Sequence, residues 1–284
     1  MNLKFKYLLI FSSVMIFYYL GYGSFFVEGN ELMFFVIAIT SFILHYYIKL
    51  SRDGGDIYLR PIAGMKAIEE SIGRATEMGK PVLFVPGISD LDRVETVSGL
   101  LVLGHVAHMT AKYETELNVP VSKSIVMEAA RETCQEAYLK SGRPDLYNDN
   151  MVHYLTDDQF AYAAGINGIM LREKPAAVFY QGQFYAESLL LAETGNSIGA
   201  LQVAGTGSSA QIPFFVTACD YTLIGEEFFA ASAYLSNEPE LIGSLKGQDI
   251  AKLVAMISII FFGILELFNF FGFIQFSSIK FLGA

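Results

Sequence analysis

An α/β fold with a mostly parallel sheet, joined to membrane-spanning helices, is what this sequence predicts. Two observations carry that expectation. Between about Ser51 and Ile250, short apolar runs alternate with segments of helical periodicity, the pattern of strand–helix units in a layered, buried sheet. On either side lie apolar stretches, Tyr7–Val27, Leu32–Leu50 and Leu253–Phe276, each close to the roughly 20 residues that a helix needs to cross a bilayer core.

The first two stretches predict a transmembrane helical hairpin over residues 1–50. The soluble block is 51–250, and the third span with a short tail is 251–284. A cleavable signal is the competing reading of the first stretch. Lys4 and Lys6 precede the hairpin, and Lys49, Arg52 and Arg60 follow it. The joining Glu28-Gly29-Asn30-Glu31 carries acids alone. The positive-inside rule then places the N-terminus and the block in the cytoplasm, making a multi-pass protein of the cell (inner) membrane. Lys246 and Lys252 agree, and Lys280 weakly opposes.

Within the block, Met65, Ile68, Ile72 and Ala75 recur at helical spacing, and Gly79 then Pro81 stops that helix. Pro81–Ile88 has the length and punctuation of a buried strand. Leu91–Leu117 reads as a helix, Val119–Ile125 as a strand, and Val126–Lys140 as a helix with Ser124 as cap. Met151–Leu155 is a strand, with Thr156 capping the helix Asp157–Met170. Ala176–Tyr180 is a strand, Phe184–Glu193 a helix ended by Thr194-Gly195-Asn196. Ala200–Ala204 and Pro213–Cys219 read as two strands, and Gly225–Leu235 as the last helix. The loop Gly205–Gln211 is too short for a helical crossover, so an antiparallel pair is expected there. The whole is a single Rossmann-like domain, long enough for one core.

Composition narrows the function. Hydrophobic residues are 53% and charged residues 17%, less charge than a soluble enzyme carries; mean hydropathy is +0.41. The net charge of -10 argues against nucleic acid, which needs a basic face. Cys134 and Cys219 imply no disulfide framework in a cytosolic domain.

Met65–Gly87, Gln159–Thr206 and Gln211–Asp249 resemble a prokaryotic family of membrane-anchored proteins catalogued as a domain of unknown function. The resemblance implies a cytoplasmic domain tied to membrane spans and carries over no activity.

Ligands of open α/β sheets bind outside the carboxyl ends of the strands. The strand-end residues Gly87, Asp90, Asp92, Thr206, Gly207, Ser208 and Asp220 are therefore the candidate ligand-binding set, provided that they converge. Gly205-Thr206-Gly207-Ser208-Ser209 lacks a Gly-Lys-Ser/Thr ending and the GxGxxG spacing, so a turn is favoured over a phosphate cradle. His105 and His108 share a helix face, but without HExxH or a cysteine pair they predict no metal site. Cys219 at a strand end reads as structural rather than nucleophilic. Glu226 and Glu227 suit a helix start. Glu266 and Asn269, three apart in the third span, predict a polar contact between helices, with an ion path as the alternative.

The expectation is a membrane-anchored scaffold whose cytoplasmic domain self-associates as a homo-oligomer or docks membrane-protein subunits, with no cofactor and no catalytic constellation. The alternative is a tethered small-molecule-binding or enzymatic domain using the strand-end loops, and a third is a transporter or channel subunit.

Overall fold

The computed structural model describes residues 31–55, 57–58, 63–236 and 238–271. Its contacts divide the chain into two units, Arg60–Asn237 and the two flanks Met1–Leu59 with Glu238–Ala284.

In the flanking unit, α1 is Glu31–Arg52. The other unit runs α2 (Ala63–Met78), β1 (Val82–Gly87), α3 (Val94–Tyr113), β2 (Leu117–Val121), α4 (Ser124–Lys140), β3 (Val152–Tyr154), α5 (Gln159–Glu173), β4 (Ala177–Gln183), α6 (Glu187–Ser197), β5 (Leu201–Thr206), α7 (Ile212–Ala218), β6 (Tyr221–Ile224) and α8 (Glu226–Ser236). The second flank supplies α9, Pro239–Phe270.

The strands form one six-stranded sheet of order β3-β2-β1-β4-β5-β6, parallel at every pairing. β1 is apolar and buried along its whole length, as a central parallel strand covered on both faces must be. Alternation along the strand divides its side chains between two cores. Val82 and Phe84 pack with α2, α3, α4 and α8. Leu83 and Val85 pack with α5, α6 and α7.

Several expectations are corrected. Pro213–Cys219 is the helix α7, not a strand, because Pro213 sits in a helical first turn, where its fixed φ and missing N–H are tolerated. A short apolar run alone does not distinguish the two. With α7 as crossover, β6 pairs with β5 in parallel, not antiparallel. The cap of α5 is Asp158, whose side chain accepts the Ala161 N–H, not Thr156. The expected cap Ser124 is itself the first residue of α4. Gly195 lies inside α6, where a Cβ would strike the Gln202 side chain.

The membrane expectation is met in part. Among the described residues one helix, α9, is long and apolar enough to cross a membrane, not three. It starts at Pro239, well before Leu253. The span 7–27 lies outside the described residues, and 32–50 falls within α1. In this unit Gly243 and Gly247 let α9 approach α1 closely. A Cβ at Gly243 would lie 2.5 Å from Ile48 Cα, and one at Gly247 3.0 Å from Leu44 Cα. Arg52 Nε meets Glu240 Oε1 at 2.8 Å beside this crossing.

Candidate functional site at the carboxyl edge of the sheet

The strand order reverses between β1 and β4. Crossovers leave these neighbours in opposite directions, which opens a crevice outside their carboxyl ends. Three glycines let the chain converge there. A Cβ on Gly87, the last residue of β1, would overlap the Gln183 carbonyl oxygen at the end of β4. One on Gly182 would overlap the Pro86 carbonyl, and one on Gly99 the Gln181 carbonyl. Gly99 thus seats the first turns of α3 on β4.

A polar network links these loops. Ser89 Oγ donates to Gln183 Oε1 at 2.8 Å, and Gln183 Nε2 donates to the Tyr185 hydroxyl at 3.0 Å. The Glu187 carboxylate is fully buried in the first turn of α6. It accepts Gln159 Nε2 at 2.5 Å and the Tyr185 backbone N–H at 2.9 Å. Ser188 Oγ donates to Gln211 Oε1 at 2.6 Å. A buried carboxylate persists only when such donors replace its water, so Glu187 fixes the loop between β4 and α6 from inside.

Among the described residues, two fully buried atoms behind the edge find no partner, Thr96 Oγ1 and Gln181 Oε1. Gln181 Nε2 donates to the Val203 carbonyl at 3.0 Å, and its Oε1 lies against Gly205. After β5, the Thr206 hydroxyl accepts the Ser208 N–H at 3.2 Å. The Glu95 carboxylate, half-buried in the first turn of α3, borders Gly207. A Cβ there would lie 3.1 Å from Glu95 Oε1 and 2.8 Å from the Phe229 ring.

Six of the seven expected ligand contacts share this edge. Gly87 and Thr206 end strands. Asp90 Oδ1 accepts the Leu91 N–H at 2.7 Å, and Asp92 lies exposed 3.9 Å from Arg93. Gly207 and Ser208 follow β5. Asp220 is the exception. It precedes β6 at the opposite edge, where Oδ2 accepts the Gln202 N–H at 2.8 Å, joining the start of β5 to the α7–β6 turn. Its assignment rested on the strand that proved to be α7.

Glu266 and Asn269 sit on α9, and Asn269 Nδ2 donates to Glu266 Oε2 at 3.3 Å. Of the chemistry weighed elsewhere, burial pushes the Cys219 thiol up to about 12, with Asp220 adding to the rise. Burial also holds the His105 imidazole below its ordinary pKa, and its Nε2 has no partner among the described residues. Among the described residues, no group of three or more His, Cys, Asp or Glu is placed to hold a metal.

Sequence reasoning missed Glu95 and Glu187, and it left Ser89, Gln181 and Gln183 out of the candidate set although they lie in the strand-end loops Gly87–Asp92 and Gln181–Gln183. A cue was present: Gln181-Gly182-Gln183 closes an apolar strand with polar side chains, which a buried strand carries only where they have a task. The edge is rich in acceptors, Asp90, Asp92 and Glu95, with Arg93 as the neighbouring cation. It suits a ligand that donates hydrogen bonds better than it suits a phosphate.

No curated protein and no solved structure matches this chain. A family model does match, over residues 23–277, and its description is Domain of unknown function (DUF6754). With that match extending over most of its length, the chain belongs to this family.

Proposed function

We propose that this protein is a membrane-tethered small-molecule-binding protein, with its ligand at the carboxyl edge over β1, β4 and β5. One observation carries the reading. Gly87, Asp90, Asp92, Thr206, Gly207 and Ser208, scattered over 122 positions of sequence, come to one edge that flanks the reversal of strand order. The ligand class is a polar compound bearing hydroxyl or amino groups, since the open groups of the rim are acceptors. The test is release of small molecules from the full-length protein purified in mild detergent, by denaturation and mass spectrometry. A polar compound near one per chain, depleted by Glu95→Gln, is expected. Protein that carries nothing, or a compound indifferent to Glu95→Gln, defeats the reading.

The tether in this proposal is the α1–α9 pair, with residues 7–27 as a third span. Lys49, Arg52, Lys246 and Lys252 support a cytoplasmic α/β unit by the positive-inside rule. Cysteine introduced as Glu70→Cys is then shielded from a membrane-impermeant maleimide in intact cells, and labelling there reverses the orientation.

A second reading, assembly into homo-oligomers or with membrane subunits, is favoured by a separate observation. α1 and α9 border an apolar cleft of about 640 Å³ that reaches Glu266. If copies or subunits associate there, Glu266→Ala lowers the detergent-stable mass seen by light scattering. An unchanged mass removes this second reading.

A further inference from the structure

The opposite edge of the sheet holds a cavity that the carboxyl-edge reading does not use. Helix α3 ends at Tyr113, and Glu114 caps it in the left-handed region, φ 57°, a conformation uncommon for a side chain of this kind. Thr115 and Glu116 then lead into β2. The segment Arg143–Met151 returns the chain to β3. Between these two stretches lies a cavity of about 390 Å³.

Its walls are of two kinds. Leu117 and Tyr138, both 2% exposed, give it an apolar floor. Glu114, Glu116, Asn118 and Asn148 give it an oxygen-rich rim. Asn118 Nδ2 donates to Glu173 Oε2 at 3.0 Å, which fixes the amide so that Oδ1 remains the acceptor, and that atom has no partner among the described residues. Arg143 bridges Glu114 and Asp145, clamping the rim. Glu116 forms no ion pair among the described residues. Glu114 and Asp145 thus share one guanidinium, while Glu116 lines the same cavity as Glu114. The carbonyl end of α3 adds partial negative charge at the same place.

We propose that this cavity binds an alkylammonium compound, a linear aliphatic diamine being the simplest case. The ammonium group supplies what the rim lacks, a positive charge and N–H donors for the exposed carboxylate of Glu116. The alkyl stem covers Leu117 and Tyr138, gaining apolar burial. An anion is repelled by the same carboxylates, and the described residues there form no metal-binding group.

The probe is 1,5-diaminopentane, titrated calorimetrically into the full-length protein in mild detergent at physiological salt, beside the neutral isostere 1,5-pentanediol. Saturable binding of one diamine per chain is expected, with the diol at least about tenfold weaker. Glu116→Gln weakens the diamine by about tenfold or more without changing the melting temperature, since Glu116 is an exposed side chain. Because the chain carries a net charge of -10, the control is Glu136→Gln, an exposed acid of α4 paired with Lys140 at 2.7 Å; it leaves the affinity unchanged. Equal affinity for diamine and diol, equal effects of the two variants, or no saturable binding overturns the proposal. None of these results bears on the carboxyl edge, which Glu95→Gln tests separately.

Discussion

The two edges of the sheet use polar residues in opposite ways. At the carboxyl edge the side chains beneath the rim engage one another, Ser89 with Gln183, Gln159 and the Tyr185 N–H with Glu187, Ser188 with Gln211, with Thr96 Oγ1 and Gln181 Oε1 left over behind them. At the amino edge Glu116 and Asn118 line a preformed cavity, and among the described residues Asn118 Oδ1 has no hydrogen-bond partner and Glu116 no ion pair. The difference follows from topology. Helix first turns crowd the carboxyl edge, and three glycines bring the backbones of α3, β1 and β4 into contact. The amino edge receives helix ends and a longer connection, Ser141–Met151, whose residues Leu146, Asn148, Asn150 and Met151 line the cavity. A ligand at the first edge therefore reads a surface held rigid from beneath, whereas one at the second fills a gap.

Breaking the buried network should cost most. Glu187→Ala leaves the Gln159 amide and the Tyr185 N–H without an acceptor, and roughly 3 kcal/mol of stability is lost, seen as a lower denaturation midpoint. If the midpoint is unchanged, the network does not hold the edge. Next is Gly99→Ala, which drives a methyl into the Gln181 carbonyl; overpacking of this kind costs about 2 kcal/mol. Its counterpart Gly73→Ala, in α2, meets nothing within 4 Å and raises stability by roughly 0.5–1 kcal/mol through helix propensity. Equal effects at the two glycines would mean that close approach, rather than helix propensity, has been misjudged.

A smaller effect concerns pH. Burial lowers the His105 pKa, partly offset by Glu69 and reinforced by His108. The unfolded chain therefore takes up a proton near the ordinary value of 6.5 while the folded chain does not. Stability contributed by this residue is complete above that pH and declines as the pH falls below it. His105→Gln should flatten melting temperature between about pH 6.5 and pH 5. A decline as steep as the parent's assigns the acid sensitivity elsewhere. The smallest effect is expected from the thiols. With Cys134 and Cys219 pushed up to about 12, neither reacts appreciably with Ellman's reagent at pH 8 until the chain is denatured, and rapid reaction of native protein contradicts the burial of Cys134 and the partial burial of Cys219.

Much of this architecture is legible in the sequence because a doubly covered strand such as Pro81–Ile88 has few alternatives, and Gly79 with Pro81 punctuates it. The reading fails at 213–219, where Phe214, Phe215 and Val216 suit strand or helix equally and Pro213 tips the balance to helix. That one error carried Asp220 to the wrong edge. The candidate site was half legible. Its glycines and acids stand beside strand ends, but the need for Gly99 arises from a contact with β4, 82 positions away, and no local pattern encodes that. Glu187 looks like an ordinary helix-start acid, and its burial depends on Gln159 arriving from another helix.

The most direct test of ligand binding at the carboxyl edge is the native mass of the full-length protein, ejected from mild detergent and weighed with whatever it retains. The account predicts a small assembly in which each chain carries one polar compound, absent from Glu95→Gln. A large, regular homo-oligomer that weighs no more than its chains would contradict it and establish the assembly reading in its place.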